Sequence, residues 1–254
     1  MRIATALLLA GLGCGTGWTK TETTLVYDLS AGGLGAAEFY VTVQLDQAAY
    51  RIDASGSTYG AADLMGSLVV NAFSTGIVGP DAVAPSSFGT DNIYDSAARR
   101  TRVTWSGTEA LAQEIVPSLA DEERTPIPDD ARQGALDPIA ALMSFALGGP
   151  ARGACSGSAK VYDGRRSYEL FLDAVEAGIV EPLEVGDTSV AALKCRITSV
   201  RTGGKSPDGW LSNSGDSEHA QIWFLQDGSG QALPLRVEAD APIGYAVAQL
   251  TRLP

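Results

Sequence analysis

Cysteine and histidine are the residues of this chain with the widest chemical reach, and there are three of the first and one of the second. A structural zinc site wants four Cys or His ligands, and beyond Cys14 the chain offers Cys155, Cys195 and His219. A nucleophilic thiol needs a base to make thiolate, and His219 is the single imidazole. A pair of cysteines without His-rich spacing, in a chain that opens on an export signal, points instead to a disulfide between Cys155 and Cys195. The loop it closes, about 40 residues, corresponds to about 4 kcal/mol in the chain-entropy account.

Other groups offer less. Ser214, Asp216, Ser217, Glu218 and His219 supply a hydroxyl, carboxylates and an imidazole, but neighbours along one turn do not adopt triad geometry, and no G-x-S-x-G elbow accompanies them. Asp163 and Glu169 could pair as glycosidase carboxylates, yet a turn aspartate and a solvent-facing strand glutamate account for both. The acidic run around Asp121, Glu122, Glu123, Asp129 and Asp130 lacks the alternating ligands and central glycine of a calcium loop. Arg165 and Arg166 read as solvated charges past a turn rather than an anion clamp. Gly32, Gly33 and Gly35 join antiparallel strands, with no helix N-terminus to receive a phosphate. No catalytic group, metal or cofactor is expected. Tyr40, Tyr50, Trp105, Tyr168 and Trp223 are the candidate lining of an apolar ligand site, with plain core as the competing reading.

The first residues, MRIATALLLAGLGCGTGW, give one arginine, an apolar run and then small residues, the order of a secretory signal peptide over residues 1–17. The run is too short to anchor in a bilayer, so the mature chain is expected to be exported without a transmembrane span. Cleavage could follow Gly13, Gly15 or Gly17. Cys14, after Gly11, Leu12 and Gly13, offers a lipid anchor as the alternative, although Gly11 stands where the usual leucine belongs. Eighteen Lys plus Arg against thirty Asp plus Glu leave a net charge of −12, which argues against nucleic acid as a partner.

Positioning these residues falls to strands. In EFYVTVQLD, Phe39, Val41, Val43 and Leu45 share one face, and LVYDL before it and AYRIDASG after it complete a meander. AADLMGSLVVNAFSTGIV reads as a turn followed by a strand, and SSFGTDNIYD with RRTRVTWSG as a hairpin. Residues 107–134, with three prolines and the acidic run, read as a long exposed loop. Asp137 at the N-cap, Pro138 at the first turn and Gly148 at the end mark one helix near 137–148, whose apolar stripe must pack on the sheet. Asp163-Gly164 marks another hairpin, and four further strands follow. About 10–12 antiparallel strands cannot stay flat. The expected fold is all-β: a strongly curved meander, a half-barrel or spiral sheet, wrapped around that helix as one domain over 21–254 and a monomer.

LDPIAALMSFAL, CSGSAKVYDGRRSYELFL, ALKCRITSV and LPLRVEADAPIGYAVAQL occur in this order and spacing. In them the chain resembles the exported bacterial proteins of domain-of-unknown-function family 3108, over roughly Leu25 to Leu250. The resemblance implies a location in the Gram-negative envelope and a β-rich fold, and carries no catalytic residues across. A curved sheet around a helix is shared by periplasmic lipoprotein carriers and envelope-integrity proteins, an analogy of fold. The expected function is a non-catalytic periplasmic protein that binds an apolar, lipid-like ligand or a partner protein in cell-envelope maintenance. The alternatives are a periplasmic hydrolase and an outer-membrane-anchored lipoprotein scaffold.

Overall fold

Among the described residues, alternating side chains in successive segments build a sheet of fourteen strands. The computed structural model describes residues 21–79, 82–121, 125–175, 180–204, 220–225, 232–240 and 244–254. The leader over 1–17 with Cys14, the acidic Glu122 and Glu123, and the Ser214–His219 group lie outside them. The strands are β1 (Thr21–Ala31), β2 (Leu34–Asp46), β3 (Ala49–Thr58), β4 (Leu68–Val78), β5 (Val83–Tyr94), β6 (Ala97–Ser106) and β7 (Glu109–Val116). After the main helix come β8 (Ser156–Tyr162), β9 (Ser167–Ala174), β10 (Val180–Val185), β11 (Thr188–Gly203), β12 (Ala220–Leu225), β13 (Pro234–Asp240) and β14 (Tyr245–Leu250).

The order across the sheet is β7-β6-β5-β4-β3-β2-β1-β14-β13-β12-β11-β9-β8, with β10 on β11 beside β9. β1 pairs with both β2 and β14, so the first and last strands of the chain are neighbours. Strand twist curls so wide a sheet until its two edges approach. The stretch before the main helix stitches them. Gln133 bridges Glu109 of β7, Gly134 N donates to Thr108 O at 2.8 Å, Leu136 N donates to Lys160 O at 2.8 Å, and Tyr162 N donates to Leu136 O at 2.9 Å. The result is a nearly closed barrel whose edges are largely covered.

The expected loop over 107–134 is corrected in its first third, where β7 pairs with β6. Ala110 and Ala112 face Trp105 and Val103, but the register slips between Arg102 and Val103, which breaks the alternation of EALAQEIV and hides the strand in the sequence. The acidic stretch beyond it carries two short 3-10 turns, Leu119–Asp121 and Asp129–Arg132. With β7 and β10 the strands exceed the expected number.

The helix stands where its caps place it. α1 (Ala61–Met65) is a single turn, and α2 (Pro138–Leu147) packs inside the barrel against β4, β5 and β8. Phe145 and Ala141 join Val161, Leu172, Leu193, Ile222 and Phe224 in one cluster, and Ala140 joins Tyr50, Ile52 and Val83 in another. Cys155 and Cys195 are bonded, with Cα atoms 5.4 Å apart. The bond ties the start of β8, an edge strand, to the middle of β11 past the end of β9, where Ala174 faces Cys195.

Candidate functional site

The five aromatics proposed to line one concave face do not share it. Tyr50 faces inward opposite Leu45 and Gly76, and its hydroxyl is 3.1 Å from Ser74 Oγ. Trp105 packs on the Phe88–Val103–Tyr162 cluster and donates Nε1–H to Ala135 O at 2.8 Å. Tyr168 packs against the Phe145 cluster, and burial pushes its hydroxyl well above the ordinary range. These three are filling. Trp223 alternates with Ile222 and Phe224, which face α2, so it turns the other way; its partners across the strands are Lys194 and Arg236. Tyr40 lies on the outer face between inward-facing Phe39 and Val41, and is 46% exposed.

Trp223 is held as a built unit. Lys194 Nζ stands 4.8 Å and Arg236 Cζ 5.3 Å from its ring centroid, while Nε1–H donates to Glu181 Oε1 at 2.5 Å. Glu181 also pairs with Lys194 Nζ at 3.7 Å. Glu181 reaches this point across Ala192, its register partner, which is fully buried. Glu181→Ala is expected to lower the unfolding free energy by about 1 kcal/mol, the worth of one charge-assisted bond at a partly exposed site, read by urea titration.

A buried polar chain escaped the sequence reading. Asp137 Oδ1 accepts from the Ile139 and Ala140 amides at 2.9 Å each, and Oδ2 accepts from Ser74 Oγ at 2.8 Å. The capping carboxylate thus pins α2 to β4 and, through Ser74, to Tyr50 on β3. Burial raises its pKa to about 6 against the pull of those donors. With Ser74 and Asp137 both fully buried, a substrate cannot reach the pair. Among the described residues no three His, Cys, Asp or Glu side chains are grouped to hold a metal ion.

Asp163 and its neighbours are structural. The Asp163 carboxylate accepts from the Arg165 and Arg166 amides at 2.9 and 2.7 Å and pairs with Arg166 Nε at 2.7 Å, which fixes the β8–β9 turn. Arg165 is corrected from solvated to buried: its Nη2 donates to Val116 O at 2.6 Å and Pro117 O at 3.0 Å, joining the turn to the end of β7.

Two surface features remain. On the outer face of β2 to β5 a groove of about 200 Å³ is floored by Ser55 and Asn71 and walled by Tyr40, Asp91, Asp53 and Phe73. Ser55 and Asn71 lie in one row across the sheet with Tyr40 and Asp91, and Asp53 and Phe73 in the next row with Thr42. The second feature is a rim. The turns β1–β2, β3–β4 and β5–β6 and the start of β14 lie at the same end of the barrel, joined by Gly32 N to Tyr245 O, Tyr59 N to Ala36 O and Asp95 N to Ser67 O, each at 3.0 Å. Exposed Leu34, Tyr59, Val69, Ile93, Tyr94 and Tyr245 sit along it, with Leu34 67% exposed and Val69 directly opposite Ile93.

The family model described as "Protein of unknown function (DUF3108)" matches residues 26–251. Among solved structures, a beta-barrel-like protein of domain of unknown function DUF1849 from Brucella abortus is similar, with a TM-score of 0.52 and 13% identity over 90% of this chain and 95% of that one. At that identity the likeness concerns the fold. No curated protein matches the chain. Among the described residues no helix is long and apolar enough to cross a membrane.

Proposed function

From the premise that the chain belongs to the DUF3108 family, we propose that it is an exported, non-catalytic protein of the bacterial cell envelope that docks a partner protein on one rim of its barrel. The observation that carries this reading is the row of exposed apolar side chains from Tyr245 through Leu34, Tyr59 and Val69 to Ile93 and Tyr94. Exposed apolar side chains gathered at one end of a barrel mark contact sites, and tyrosine suits them because it buries a ring while keeping a polar tip. Helix α2 supports protein docking over a lipid-like ligand, since it stands on the concave side where such a ligand would lie. Export is supported by the leader-like residues 1–17 and by the Cys155–Cys195 bond, which persists in oxidising compartments.

A photo-crosslinking residue at Leu34 or Tyr245, in the host envelope, is expected to trap one adduct of common mass. Ile77, 57% exposed at the opposite end of β4, serves as the control. The adduct should disappear when Ile93→Asp is added. Equal trapping from Ile77, or persistence with Ile93→Asp, defeats the reading.

A further inference from the structure

The groove on the outer face of β2 to β5 has a polar chemistry distinct from the rim, and it selects a class of ligand. Its arginines are already matched. Arg51 pairs with Asp53 at 2.5 Å, Arg102 with Asp91 at 2.5 Å, and Arg100 with Asp91 at 2.7 Å and Glu114 at 3.4 Å. Arg100 and Arg102 hold the Asp91 carboxyl below the usual carboxylate range. Three guanidinium groups thus face three carboxylates, and Glu38 beside Tyr40 adds negative charge, so a phosphate is disfavoured, while among the described residues no three carboxylates are grouped to hold a metal ion.

What remains is hydrogen-bonding capacity beside an aromatic surface. The Ser55 hydroxyl and the Asn71 carboxamide, both exposed on the floor, make no hydrogen bond to another described residue. Between them they supply donors and acceptors, and the fixed carboxylates of Asp53 and Asp91 keep further lone pairs. Tyr40 presents its ring at one wall, with its hydroxyl donating to Glu38. Phe73 is fixed at another wall: Arg51 and Arg102 stand 5.5 and 5.6 Å from its centroid, and it occupies the space above Gly89, where a Cβ would come within 2.5 Å of the ring. These walls are therefore set before anything binds.

We infer that this groove is a binding site for a neutral saccharide ring, held by hydrogen bonds from its hydroxyls to Ser55, Asn71, Asp53 and Asp91 and by stacking on Tyr40. A sugar ring is uncharged and dense in hydroxyls, and its face of C–H bonds carries the slight positive charge that the negative face of an aromatic ring attracts. The volume agrees. At about 200 Å³ the groove is smaller than the pockets that enclose drug-sized molecules, and it lies open along the sheet, so it suits one ring of a longer glycan. The site stands on its own geometry and does not depend on the rim or on export.

The test is a titration of the full mature chain followed by amide chemical shifts, with glucose, galactose, N-acetylglucosamine and the β-1,4-linked dimer of N-acetylglucosamine as probes, and galacturonate as a charged control. At least one neutral sugar is expected to saturate with a dissociation constant on the order of 1 mM, as befits a shallow site facing water. The shifts should centre on Ser55, Asn71, Phe73 and Asp91. Asn71→Ala should weaken that binding about tenfold, and Ser55→Tyr, which fills the floor, should abolish it, both with unchanged thermal unfolding. No saturable shift in the groove with any neutral probe up to tens of mM, tighter binding of galacturonate, or full affinity in Ser55→Tyr overturns the assignment.

Discussion

Replacing Cys155 and Cys195 together by alanine should lower the unfolding free energy by about 4 kcal/mol, the largest single loss expected from a change of two side chains in this protein. The bond closes a separation of 40 residues, and in the chain-entropy account a loop of that length restricts the unfolded ensemble by about this amount. Its position adds a structural consequence. β8 has a neighbour in the sheet on one side only, β9, and on the other side meets the Leu136 segment that stitches the barrel shut. Without the tie to β11, the edge hairpin β8–β9 and that seam are held by backbone bonds, by Phe145 packing and by the bonds of Arg165 to the end of β7. Urea titrations of the oxidised protein, the reduced protein and the double variant are the measurement, and the reduced protein and the variant should coincide. Amide exchange of the β8 residues should accelerate more than that of β2 and β3, which lie far along the sheet. A loss below 1 kcal/mol with unaltered exchange at β8 would show that the bond is incidental to the fold.

Where an element's signal is local, the sequence discloses it; where it rests on a partner across the barrel, it does not. α2 is legible because Asp137, Pro138 and Gly148 each act within one turn of the chain. β2 and β13 are legible because apolar residues alternate with mostly polar ones along them. β7 is illegible because a slip in register against β6 breaks its period. The role of Arg165 depends on carbonyl groups 49 and 48 residues earlier, and that of Asp137 on Ser74, 63 residues earlier, in a strand that mixes polar and apolar residues without a clean alternation. The outward direction of Tyr40 could have been read from its place between Phe39 and Val41. That of Trp223 could not, since Ile222, Trp223, Phe224 and Leu225 form one apolar run. The groove is the extreme case: its floor and walls come from four strands, and their rows exist only once the register of all four is fixed.

Asp137 carries the second large effect, and its sign depends on pH. The ordinary carboxyl value is 3.8 and the native one about 6, raised by burial. Between about pH 4 and pH 6 the native state therefore keeps a proton that the unfolded chain has released. Stability attributable to this group falls as pH rises through that window and is level above it, a total decline of about 3 kcal/mol. Asp137→Asn retains an oxygen for the Ile139 and Ala140 amides and has no charge to bury, so its stability should lack this decline. It should match the wild type near pH 4 and exceed it by about 3 kcal/mol at pH 7. Asp137→Ala removes the cap acceptor and leaves the Ser74 hydroxyl with Tyr50 as its remaining partner, and near pH 4 should lose about 3 kcal/mol. Its deficit should shrink by pH 7, because the wild type there bears the cost of a buried carboxylate that alanine does not. Groups such as Asp91, held low by Arg100, lose their contribution only below this window, and they cancel when variant and wild type are compared at one pH. Urea titrations of the three proteins from pH 4 to pH 7 decide the matter: parallel curves for wild type and Asp137→Asn would mean that this carboxylate is ionised in the native state throughout that range, and that burial does not hold a proton on it.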